Sequence, residues 1–137
     1  MTIKEEPTYH PIQIEYLVSF EHSDDRKDVK IRKEESNCVV LVSLQYEHQE
    51  EDSFLLPLEA FEGFRKSIED NQLDKYGDYP LTKKPGSNLI RIIVTCGKGK
   101  DISKVYELCN RAEYSKETTK VFESLVQKFE AIIEKRP

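Results

Sequence analysis

The chain has 137 residues with a formal net charge of −5, 37% apolar and 34% charged residues. That length suits one domain with one modest core, and the composition is not that of a disordered chain. The acidic balance argues against a general phosphate-backbone binder and leaves room for a basic partner.

Residues 1–11 are polar, carry Pro7 and Pro11, and read as an N-terminal arm ahead of a single α+β domain over 12–137. The arm has no basic stretch followed by an apolar core, so no secretory signal is expected and the cytoplasm is the expected location. In "IQIEYLVSFE", Ile12, Ile14, Tyr16, Val18 and Phe20 alternate with polar residues, the period of a half-buried strand. "HSDDRKD" is a charged turn, "VKIRK" a short strand with Val29 and Ile31 inward, and "EESN" a second turn. "CVVLVSLQYE" is apolar on both faces at its start, which predicts a central strand covered on two sides near Val39 and Leu41.

"EHQEED" then reads as the polar connection of a hairpin whose second strand holds Phe54 and Leu56. Pro57 suits a helix start, and Leu58, Phe61, Phe64 and Ile68 follow at helical spacing. Gly63 inside that run costs about 1 kcal/mol relative to Ala. Residues 71–87 show Gly and Pro without period and read as a long loop. "NLIRIIVTCG" is a strand, "KGKD" a turn, and "ISKVYELCN" fits either a strand or a short helix. Ser115 is a good N-cap for a final helix whose stripe is Val121, Phe122, Leu125, Phe129, Ile132 and Ile133. The expected architecture is a two-layer α+β domain. It has a mainly antiparallel sheet of five or six strands and two helices, in the order β-β-β-β-α-β-(β or short α)-α.

The chemistry-bearing residues are sparse. His48 stands among Glu47, Glu50, Glu51 and Asp52, but a zinc site wants more His or Cys, and a calcium loop wants a Gly at the turn. Cys38, Cys96 and Cys109 are an odd set of thiols and are expected to be free. Cys96 ahead of "GKGKD" has lysines nearby that would favour a thiolate, yet its strand phase points inward. "CGKGKD" lacks the spacing of a phosphate-binding P-loop. No metal, cofactor or catalytic residue is expected.

Three functions compete. The first is a non-enzymatic protein-interaction module, of which a bacterial immunity protein blocking a basic toxin domain is one form. Its contact surface would be Asp24, Asp25, Glu47, Glu50, Glu51 and Asp52, with Tyr76 and Tyr79 from the long loop. The second is a single-stranded nucleic-acid binder. Over residues 28–71 the chain is similar in element order to single-strand-binding modules of the Pur type, in which a curved sheet precedes a helix. Such modules present basic and aromatic groups from the sheet, which here would be Lys30, Arg32 and Tyr46, and a binder of this kind would also use Lys98 and Lys100 outside that stretch. The third, an enzyme built on Cys96 or His48, is ranked last.

Overall fold

A computed structural model describes residues 10–20, 23–46, 48–75 and 88–137. Glu47, Tyr76 and Tyr79, most of the arm and most of the 71–87 segment lie outside these residues. The elements run β1 (Pro11–Ser19), β2 (Arg26–Glu34), β3 (Asn37–Gln45), β4 (Gln49–Pro57), α1 (Leu58–Asp70), β5 (Leu89–Lys98), β6 (Asp101–Cys109) and α2 (Lys116–Glu134). This is the order read from the sequence, with residues 101–109 resolved as a strand. A 3₁₀ turn at Leu73–Lys75 follows α1 and buries Leu73 completely, so the start of the long segment is anchored rather than irregular.

The strands form one antiparallel sheet in the order β4-β3-β2-β1-β5-β6. Alternation dictates its two faces. Ile14, Tyr16 and Val18 of β1, Val29 and Ile31 of β2, Val40, Val42 and Leu44 of β3, and Ile92 and Val94 of β5 are buried on one face. Both helices pack there. Phe61, Phe64 and Ile68 of α1 and Phe122, Leu125, Phe129 and Ile132 of α2 complete the core. Phe129 is its centre: the ring stacks on Tyr16 at 5.2 Å and meets Phe64 at 4.6 Å, so one side chain joins β1, α1 and α2. The Tyr16 hydroxyl donates to Glu130 at 2.7 Å, and Lys27 Nζ lies 2.9 Å from the same carboxylate oxygen. Burial, and then the Glu130 carboxylate, push the Tyr16 phenol far above its ordinary pKa.

The local signals act as expected at the helix starts. Ser115 caps α2, its Oγ accepting the Thr118 N–H at 3.2 Å. Pro57 occupies the N-cap position of α1. The "GKGKD" segment is a two-residue hairpin turn between β5 and β6, and both glycines have backbone reasons. Gly99 has φ of +61°, and a Cβ on Gly97 would collide with the Asp101 carbonyl at the bulge that shifts the β5–β6 register. A strand follows this turn, where a phosphate loop would need a helix.

Two expectations are corrected. The acidic segment 50–52 is not a turn, because β4 already begins at Gln49. Tyr46 lies three residues ahead of that strand in the sequence, and its N–H reaches the His48 carbonyl at 3.2 Å. Nor is β3 covered on both sides: Leu41 is 41% exposed. The sheet has helices on one face, and among the described residues nothing packs on the other.

Phe129→Ala would remove the ring on which three elements converge. The expected cost is about 3–5 kcal/mol, a large part of a small domain's stability, read as a fall in the midpoint of urea unfolding.

Candidate functional site: the open face of the sheet

The uncovered face is set by register. One row across it runs Ser53, Leu41, Lys30, Glu15, Ile93, Glu107 on adjacent strands. The next runs Leu55, Val39, Arg32, Gln13, Thr95, Val105. On the other side of the first row stand Glu51, Ser43, Asp28, Leu17 and Arg91. Apolar, polar and charged residues are therefore mixed across the face. Leu55 is 61% exposed and Val105 56%. With Leu41 they form apolar islands that no element of the described chain covers.

The charges on this face are largely spent on one another. Arg91 forks onto Glu107, with Nη2 to Oε2 at 2.9 Å. Arg32 pairs with Glu34 at 2.6 Å, and Lys30 lies 3.7 Å from Glu15. Glu15 also meets Asp28, one strand away. Burial, then the hydrogen bond and charge of Asp28, push the Glu15 carboxyl up to about 7, against the opposing pull of Lys30.

Small residues leave a depression in this face. Ser43 and Ser53 form its floor, Leu41 and Lys30 one side, and Asp28 and Glu51 two acidic walls; its volume is about 510 Å³. Asp28 and Glu51 flank Ser43 from the strands on either side. Two strand spacings of about 4.8 Å separate their backbones, room for a basic side chain to enter between them.

The acidic residues singled out in the sequence part company. Asp24 and Asp25 lie in the β1–β2 turn, where the Asp25 N–H reaches Ser23 Oγ at 3.0 Å. This turn and the β3–β4 turn share one end of the sheet, as the 6.2 Å contact between the Phe20 and Tyr46 rings records. Glu50 and Asp52 face the helix side and are approached by Arg136, just beyond α2, at 3.4 and 3.7 Å. Glu51 alone of that trio points to the open face. Glu47, Tyr76 and Tyr79 are outside the described residues.

The cations of the nucleic-acid reading are also dispersed. Lys30 and Arg32 are ion-paired in the sheet, while Lys98 and Lys100 sit at the β5–β6 turn, at the end opposite the acidic turns. Cys96 is completely buried, and its thiol is pushed up to about 11 by burial, then by Asp74, with Lys104 opposing. That is the direction away from a ready nucleophile. Cys38 and Cys109 are buried too. Among the described residues no three His, Cys, Asp or Glu side chains stand together as a metal site. No described helix is long and apolar enough to cross a membrane.

Sequence reading missed Glu15, Asp28, Leu41, Ser43 and Leu55 as one surface. The available signal was Leu55: in "FLLP" it sits between Phe54 and Leu56, out of phase with both. No family model and no curated protein matches this chain.

Glu15 makes stability pH-dependent with a definite sign. Its folded pKa, near 7, lies above the usual carboxylate value. Its contribution is therefore fully present below about pH 4.5 and is lost as pH rises through 7. Glu15→Gln should flatten that part of the profile and raise stability relative to the parent at pH 8, measured by urea unfolding across pH 4–8.

Proposed function

We propose that the chain is a non-catalytic protein-interaction module that docks a basic protein partner on the open face of its sheet. A bacterial immunity protein that neutralises a basic toxin domain is the specific form of this reading. The observation that carries it is the juxtaposition of exposed Leu41 and Leu55 with a depression walled by Asp28 and Glu51. Exposed apolar residues in a contiguous, polar-rimmed arrangement mark protein contact surfaces. Leucines would supply the water-excluding contact, and the two acids would seat a Lys or Arg of the partner.

Charge supports a protein over a nucleic acid. Lys30, Arg32 and Arg91 are each held by a carboxylate on the same face. A phosphate backbone would have to displace those partners and meet Glu51 and Glu107 as well. The net charge of −5 adds a long-range attraction for a basic partner, which acts on encounter rate more than on residence time.

Two substitutions separate the contributions. Leu41→Asp should abolish capture of the partner from the native host's extract. Glu51→Lys should slow association with that isolated partner on the order of tenfold at low salt, with little change in dissociation. Both should keep the parent's circular dichroism, since neither side chain enters the core. Unchanged capture by both variants, or tight binding of single-stranded oligonucleotides by the parent at physiological salt, would overturn the reading.

A further inference from the structure

On the other layer of the molecule, α1 and α2 converge at Phe64 and Phe129 and leave a groove beside β4. Its floor and walls are Phe54 and Leu56 of β4, Ala60, Gly63 and Phe64 of α1, and Ala131 and Ile132 of α2. Its volume is about 380 Å³, within the roughly 300–1,000 Å³ typical of small-ligand sites.

Gly63 is the informative residue. It lies in mid-helix, where glycine is a poor choice, and its backbone has no positive φ. A Cβ placed on it would meet no atom within 4 Å. Nothing in the folded chain therefore demands glycine at this position. What the missing side chain does is keep the groove open on the side facing α2.

The rim inverts the charge of the molecule. Lys128 of α2 and Lys135, which follows the last residue of that helix, border the groove, and Glu59 is the acidic residue in its lining. Lys128 Nζ stands 5.6 Å from the centroid of the Phe64 ring, so an ammonium is held over the aromatic wall. Neither lysine is in an ion pair among the described residues, whereas Lys27, Lys30 and Lys33 each are. An apolar slot of this size with two cations at its edge, neither in an ion pair among the described residues, fits an apolar tail with an anionic head.

We infer that the groove between α1, α2 and β4 binds a medium-chain aliphatic carboxylate, its chain along Leu56, Gly63 and Ala131 and its head at Lys128 or Lys135. This site is separate from the open sheet face and does not depend on the function proposed for it.

The test compares two amphiphiles with the same tail, dodecanoate and dodecyltrimethylammonium, both below micelle-forming concentration. Titration calorimetry and ¹⁵N-resolved amide shifts are recorded on the full chain. Dodecanoate should bind one to one, move the amides around Gly63 and Ala131, and bind at least tenfold tighter than the cation. Gly63→Leu fills the slot with a better helix former and should weaken dodecanoate binding at least tenfold while the chain stays folded. Ala131→Leu, from the opposite wall, should do the same. Lys128→Glu with Lys135→Glu should reverse the preference between head groups. Equal affinity for the two amphiphiles, shifts confined to other surfaces, or unaltered binding by both filling variants would each overturn the inference. So would failure of the parent to bind dodecanoate.

Discussion

Two helices can cover only one face of this sheet. Six strands at about 4.8 Å spacing span roughly 24 Å, and two helices of about 10 Å diameter lying side by side just match that width. With α1 and α2 both on one side, the arrangement is used up. Phe129 pins it by reaching Tyr16 at the middle of the sheet and Phe64 on the neighbouring helix. Everything else of functional interest follows from that coverage. The opposite face must be solvated or shared with another molecule, and the helices must either close against each other or leave a gap where they diverge from β4.

The open face shows how a sheet tolerates exposure. Its charges are arranged as cross-strand and diagonal pairs, Arg91 with Glu107 and Lys30 with Glu15, so that each side chain finds a partner without the third layer. The apolar residues between them have no such remedy. Leu55, Val105 and Ile102 remain more than half exposed. Ion pairs of this kind contribute little to stability at a surface. They do fix the geometry in which a partner would meet the face, and they remove the free cations a polyanion would need.

Much of the fold was legible because its signals are local. The alternation of Ile14, Tyr16 and Val18, the stripe Phe122, Leu125, Phe129, Ile132, and the cap at Ser115 each require only a few consecutive residues. The strand at 101–109 was ambiguous because Ile102 and Val105 satisfy helical spacing as well, and only pairing with β5 decides the matter. The surface was less legible. Val39 and Leu41 look like residues of a doubly covered strand, since local sequence records that a side chain is apolar and not whether anything arrives to cover it. The acids Glu50, Glu51 and Asp52 read as one cluster in a turn. Once β4 starts at Gln49, strand parity sends Glu51 to one face and the other two to Arg136. The depression at Asp28 and Glu51 depends on neighbours three strands deep and has no signature along the chain.

The position of β1 carries a consequence for how the molecule assembles. It is the first strand among the described residues yet lies inside the sheet, between β2 and β5. The pairings of β1 with β2, β2 with β3, β3 with β4 and β5 with β6 all join consecutive strands through short turns. Only the β1–β5 zipper, from Ser19 with Leu89 to Pro11 with Cys96, joins distant parts of the chain. Until β5 is in place, a β1–β4 meander has, in addition to the permanent edge on β4, an edge on β1. That edge presents the backbone groups of a β-rich apolar strand to whatever is near. Its native occupant arrives only with the last third of the chain, and the closure entropy of that long loop falls on a single step. An edge of this kind is open to mispairing until β5 covers it, and Glu15, the one charged residue of β1, stands where such an edge needs guarding.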